Sequence, residues 1–410
     1  MHGLVPPRLR ATQAGISLVE TLVALVLGLA MVSVAFNLFV SNRGVFRQIE
    51  AMVRLQESAS IAATLLETSI RHAGGTLCRN NPPTTILLNA SSPYAYAEHR
   101  PTKPYAYWES KDGDGQGLLG LHGYESITAD PIVGANRLAG DSISVMSDNM
   151  GAIARVTGPA TATSASFGFS GTYNFPVDYS YDFDVGTVAM ACDQVRAVLF
   201  QVTDVLNKRI RMQVGANAPA LSPGNCAVTM RRIRPYVTDP VTALDGQWSC
   251  TNGQTTFSQQ GQMYTFGPGS MIGEHTFEHW YIGRKTNTTD GLSLFRVRMG
   301  YDTSGNVKLL DAEEIVQDVK DMQITYLPGV LFTGYPSKPY YVPAYDPVTF
   351  DGLANYDGYT FRSVTAVRIV LTLTSPEKVG LAATNAASAA TYTIPINVAI
   401  RARMPGVVRR

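Results

Sequence analysis

The sequence predicts an α+β protein, with one very long N-terminal helix followed by a β-rich remainder. Three observations carry this. Thr21 to Asn42 is a run of 22 residues without a charge, mostly Leu, Val and Ala. No proline occurs between Pro7 and Pro82, so nothing breaks a helix that begins in that run. Later segments alternate apolar and polar residues with the period of two that strands require. Among them are Val367, Ile369, Leu371, Leu373 and Ile394, Ile396, Val398, Ile400.

The apolar run is long enough to cross a bilayer core, which takes about 20 residues. A polar leader, Met1 to Gly15, precedes it and carries Arg8 and Arg10. Positive charge before a span favours a cytoplasmic N-terminus and places the remainder on the far side. A secretory signal peptide has a shorter apolar region, usually 7–15 residues, ending in a small-residue cleavage site. The helical pattern continues past the run. Val45, Ile49, Met52, Gln56, Ala59, Ala63, Leu66 and Ile70 follow a 3–4 spacing, with Arg43, Arg47, Glu50, Arg54, Glu57 and Glu67 between them. Ala73-Gly74-Gly75 is a stop signal. A helix from Ile16 to about His72 would be roughly 85 Å long at ~1.5 Å per residue. The small residues Ala59, Ala62 and Ala63 suit packing under a sheet better than a coiled coil.

Beyond Gly75, strands are expected at Ser142–Met146, Val195–Val202, Phe277–Ile282, Leu292–Val297, Val364–Leu373 and Ile394–Arg403. Glu313–Met322 fits either a short helix or a polar strand. Gly/Pro/Tyr-rich segments separate them and read as surface loops. Pro93-Tyr94-Ala95-Tyr96 recurs as Pro104-Tyr105-Ala106-Tyr107, and Tyr335, Tyr340, Tyr341, Tyr345, Tyr356 and Tyr359 crowd a second loop. Such rings either pack the loops onto the sheet or form partner surfaces.

Composition excludes several classes. Lys+Arg is 33 against 32 Asp+Glu, a balance unlike that of a nucleic-acid clamp. Gly and Pro are 36 and 23 of 410 residues, loop-rich but far from collagen-like. His275-Thr276-Phe277-Glu278-His279 matches a zinc-protease pattern. Zinc would need a helix there, whereas the alternation through Tyr281 favours a strand. Asp112-Gly113-Asp114-Gly115 starts like a calcium loop, but the twelfth position is Gly123, so a turn is expected. No phosphate-binding glycine loop or nucleophile elbow occurs, and no cofactor or metal is expected. The four cysteines allow three pairings. Cys226 with Cys250 closes a short loop and leaves Cys78 with Cys192, which is the favoured arrangement.

Glu20 stands out, since a carboxylate entering an apolar helix needs a partner. The stretch Ala14-Gly15-Ile16-Ser17-Leu18-Val19-Glu20-Thr21-Leu22 closely resembles the class III signal of type IV prepilins and type II secretion pseudopilins. The resemblance implies cleavage between Gly15 and Ile16 by a prepilin peptidase and N-methylation of Ile16. It also implies pairing of Glu20 with the terminal amine of a neighbouring subunit. Losing Arg8 and Arg10 with the leader leaves 31 basic against 32 acidic side chains.

Further stretches resemble PilW-type minor pilins. These are Leu55-Gln56-Glu57 … Ile70-Arg71-His72-Ala73-Gly74 … Cys78, Gly140-Asp141-Ser142-Ile143-Ser144-Val145, Cys192-Asp193 … Leu199-Phe200-Gln201 and Ile315-Val316-Gln317-Asp318-Val319 … Tyr326. His72 and Gly75 depart from the common Met and aromatic residues. The resemblance implies a type IV pilin-like fold: leader 1–15, membrane and filament-core helix 16–42, amphipathic helix 43–75 and a β-rich head 76–410 with insertions near 91–135 and 328–360. It implies a non-enzymatic subunit that primes and assembles a pilus near its tip. Partners would be the peptidase, the major and other minor pilins and a tip adhesin, with the inner membrane before assembly. A J-type pseudopilin of type II secretion is the alternative, and a membrane-anchored periplasmic enzyme a distant one.

Overall fold

The computed structural model describes residues 17–75, 77–78, 84–88, 120–126, 130, 132–165, 170–178, 183–216, 218–225, 228, 264–286, 291–328, 341–343, 364–379 and 388–401. The chain divides into two compact units, Met1–Arg54 with Ser375–Ala390, and Leu55–Thr374 with Thr391–Arg410.

One helix, α1 (Leu18–Arg71), runs for 54 residues and contributes to both units. In the first unit its apolar side chains are exposed, from Leu18 and Val19 to Phe46 and Val53. This stretch is long and apolar enough to cross a membrane. In the second unit a narrow seam is buried: Leu55, Ala59, Ala62, Leu66 and Ile70. The expected stripe was therefore one residue out of register at two points. Leu55 and Ala62 are buried rather than Gln56 and Ala63, because the 4-3-4-4 spacing follows the helical period more closely. Val45 and Ile49 remain exposed.

The helix ends as the Gly pair predicts. Gly74 takes φ +65° and donates its N–H to Met146 O. A Cβ on Gly120, itself at φ +67°, would lie 2.3 Å from Gly74 Cα, so both glycines permit this close crossing.

The strands are β1 (Thr84–Ile86), β2 (Leu121–Tyr124), β3 (Ala139–Arg155), β4 (Thr161–Ala165), β5 (Ser170–Pro176), β6 (Val188–Cys192), β7 (Ala197–Gln201), β8 (Asp204–Leu206) and β9 (Arg209–Val214). They continue with β10 (Met271–Arg284), β11 (Leu292–Tyr301), β12 (Val307–Leu309), β13 (Glu313–Gln317), β14 (Val319–Pro328), β15 (Val342–Pro343), β16 (Val364–Val379) and β17 (Ser388–Ala399).

They form three sheets. The nine-stranded sheet is built around β10, which pairs with β3 on one side and with β6 and then β11 on the other. Its pairings are antiparallel except β1 with β7, which is parallel. A four-stranded sheet has the order β4-β5-β9-β8. Tyr173, Phe175, Phe200, Ile210, Met212, Phe266 and Ile272 share its core, and Phe175 stacks on Phe200 at 5.3 Å. The third sheet has the order β15-β14-β16-β17. Val319, Met322, Ile324, Tyr326, Val367, Ile369, Leu371 and Leu373 are buried on it.

The structure decides several expectations. Glu313–Met322 is strand, split by Asp318 at φ +63° into β13 and β14. Within the expected insertion near 91–135, Leu121–Tyr124 pairs with β3 and Asp130 is buried. In the segment 328–360, Val342–Pro343 adds an edge strand to β14, and Tyr341 lies under the Arg368 guanidinium at 4.2 Å. Tyr341, Val342 and Pro343 thus lie with the sheet, while Tyr335, Tyr340, Tyr345, Tyr356 and Tyr359 lie outside the described residues. The last strand starts at Ser388 and ends at Ala399. Cys78 and Cys192 form the expected disulfide. Cys226, Cys250, the first tyrosine-rich loop and the Asp112 turn lie outside the described residues, as do Gly15 and Ile16.

Candidate functional site

Three places hold the chemistry that the sequence singles out. The first is the start of α1. Ser17 caps the helix, its Oγ accepting the Val19 N–H at 3.2 Å while its carbonyl accepts from Glu20 N and Thr21 N. Glu20 lies in the first turn, where the helix dipole favours a carboxylate. Ser17-x-x-Glu20 also has the spacing of a capping box, a signal in the sequence beyond those that first drew attention to Glu20. From Thr21 to Asn42, α1 presents only uncharged residues.

The second place is the seat of α1 on the nine-stranded sheet. Alternation along β10 turns Glu278 and Trp280 to one face. Ser69 Oγ donates to Glu278 Oε2 at 2.7 Å, and Trp280 Nε1 donates to Ser69 Oγ at 3.4 Å. Trp280, Arg296 and Glu313 are register partners across three adjacent strands. Arg296 donates to Glu278 Oε1 and, through Nε and Nη2, to Glu313 Oε2 at 3.2 and 2.8 Å. Its guanidinium sits 5.4 Å from the Trp280 ring centre. The bond from Arg296 is the main cause that holds the Glu313 carboxyl below its usual range, and Arg298 adds to it.

The third place lies on the other face of β10, where His275 and His279 point. His275 Nδ1 meets Asp148 Oδ1 at 2.9 Å. His279 lies between Ser144 Oγ at 2.9 Å from Nδ1 and Asp130 Oδ2 at 3.1 Å from Nε2. Asp130 also accepts from Ser142 Oγ at 2.5 Å and from the Ile132 and Val133 N–H groups. Arg137 lies 3.8 Å from it and donates to Ser142 Oγ and to the Tyr124 and Glu125 carbonyls. Burial alone would push the Asp130 carboxyl up. The His279, Ser142 and Val133 bonds outweigh it and hold the group well below its usual range. Asp141 accepts from Ser126 N and from Ile324 N on β14, and burial raises it to about 6.

Ser144, His279 and Asp130 thus have the composition of a hydrolytic triad. All three are buried, with Ser144 1% exposed, so no substrate reaches the hydroxyl. The arrangement works as a polar brace. The two histidines of the zinc-like motif take different partners on one strand, and no cluster able to hold a metal occurs among the described residues.

The sequence reading missed Asp130, Arg137, Asp148 and the Ser144 role. A signal existed at Asp141-Ser142-Ile143-Ser144, where polar side chains fall on alternate positions of a strand buried on both faces. Such groups need internal partners. No family profile, curated protein or solved structure matches the chain.

Proposed function

We propose that the chain is a filament subunit, a minor pilin of the PilW type that helps prime and assemble a type IV pilus. The observation that carries this reading is the join between the Gly15-Ile16 … Glu20 signal and a capped, proline-free helix whose apolar run is exposed. A helix that is apolar on all sides along one half and buried along a narrow seam in the other has two tasks. One half serves a lipid or a bundle of like helices, and the other fixes the head. The head is the β-rich part, tied to α1 through Ser69, Glu278 and Trp280.

On this reading a prepilin peptidase cuts after Gly15, and Ile16 becomes the methylated N-terminus. The major pilin, other minor pilins and a tip adhesin are the partners, and the inner membrane holds the subunit before assembly. The interior stretches at Gly140–Val145 and Ile315–Tyr326 favour this over a J-type pseudopilin. The test is N-terminal sequencing of the protein from membranes and from sheared surface filaments. The expected result is a chain starting at Ile16 in both fractions. A different N-terminus, or complete absence from filaments, overturns the proposal.

A further inference from the structure

The charge order just past the apolar run sets two arginines together. Asn42 is the last uncharged residue before Arg43, and Arg47 follows one turn later on the same side of α1. Both are exposed. The neighbours of Arg43 at three and four residues are Phe39, Val40, Phe46 and Arg47, so no acid on its own helix balances it. Arg47 adds repulsion. Glu50 stands three residues after Arg47, but its carboxylate pairs with Arg54 at 2.6 Å. Two cations one turn apart thus share a face without a counter-ion among the described residues.

Their depth matches one source of anions. At ~1.5 Å per residue, Arg43 lies ~1.5 Å and Arg47 ~7.5 Å beyond Asn42. Glu50 and Arg54 lie ~12 and ~18 Å beyond it. The headgroup layer on each side of a bilayer is about 5–7 Å thick. Arg43 and Arg47 therefore fall within that layer or reach back into it by snorkelling, and the Glu50–Arg54 pair falls outside. Phe39 and Phe46, both exposed, flank the same boundary.

We propose that Arg43 and Arg47 form a clamp for the phosphate of an anionic phospholipid headgroup at the outer end of the span. Arginine suits this because its planar donors engage phosphate in pairs. The clamp holds α1 at a fixed depth until the subunit leaves the membrane. The inference rests on reading α1 as a membrane anchor.

The experiment uses the leader-free chain that begins at Ile16, and so lacks Arg8 and Arg10, in phosphatidylcholine vesicles that carry a trace of spin-labelled phosphatidylglycerol or spin-labelled phosphatidylcholine. The motionally restricted fraction gives the relative association of the two lipids. Wild type should prefer phosphatidylglycerol by about fivefold or more, the usual worth of one basic residue at an anionic surface. The preference should collapse in 1 M salt, where the screening length is about 3 Å. Arg43→Gln/Arg47→Gln should bind the two lipids equally, and Arg54→Gln should behave as wild type. A preference that survives in the double variant, or is absent from wild type, overturns the clamp but leaves the anchor standing. If the double variant keeps the preference yet is lost from filaments, the clamp is also overturned, and a neighbouring subunit's carboxylate is the partner. Failure of wild type to float with vesicles overturns the anchor itself.

Discussion

Glu20 and Asp141 are both carboxylates in unusual settings, and they respond to different tests. On the proposed function, Glu20 meets an amine only within a filament. Removing one partner of a buried pair costs about 3–5 kcal/mol. Glu20→Ala should therefore be processed normally yet fall at least tenfold in sheared filaments relative to membranes; equal partition would dismiss the pairing. Asp141 acts inside the isolated head, where it joins β3 to the Ser126 and Ile324 amides. Its folded value is about 6, above an ordinary aspartate, so the folded state holds the proton more tightly than the unfolded one. Stability from this group therefore rises as pH falls from above 6 towards 4, by about 2–3 kcal/mol at ~1.4 kcal/mol per unit. Asp130 has the opposite sign, and its contribution is lost only below about pH 4. Thermal melts should show a rise between pH 7.5 and 4.5. The Asp141 share of it should vanish in Asp141→Asn, and an unchanged profile in that variant would exclude Asp141 as its source.

The seam of α1 shows what a pattern of apolar residues can and cannot reveal. Its existence and length were legible, because an uncharged run and a proline-free continuation leave few alternatives. Its register was not. Ala62 and Ala63 are both small, and the choice between them depends on which side the sheet lies. The strands at Ser142, Phe277, Leu292 and Val364 were legible from alternation. β6 is buried on both faces, so period two is faint in it, whereas β7 was expected within the apolar run Val195–Val202. β2 and β15 are too short to leave a period at all. The Asp130 brace was hidden for another reason: its members come from β3, β10 and the turn around residue 130, and only tertiary structure brings them together. Ala62 gives the sharpest test at this scale. Overpacking a filled core costs about 1–3 kcal/mol. Ala62→Leu should lower the melting temperature of the head, whereas Ser60→Leu on the exposed side should not. Equal effects would place the seam elsewhere.

Across the whole chain, distant pairings dominate. The Cys78–Cys192 bond spans 114 residues and ties the segment after α1 to β6. Replacing both cysteines by serine should cost about 2–5 kcal/mol, measured by denaturant unfolding of otherwise intact protein. A smaller change would mean that β1 and β7 already hold that segment. Deleting 334–360 should also destabilise the head, because Val342 is buried and Tyr341 stacks with Arg368. Retention of the full melting temperature would return those residues to the free loop. The Ser69–Glu278 bond has a consequence for biogenesis. Its partners are 209 residues apart, so the seat of α1 does not exist when the helix leaves the ribosome. At 5–20 residues per second, the wait is about 10–40 s. Throughout it the helix is already made while the part of its seat that β10 supplies to Ser69 is missing. The pace of translation therefore sets how long the buried stripe of α1 waits for the strand that completes its seat.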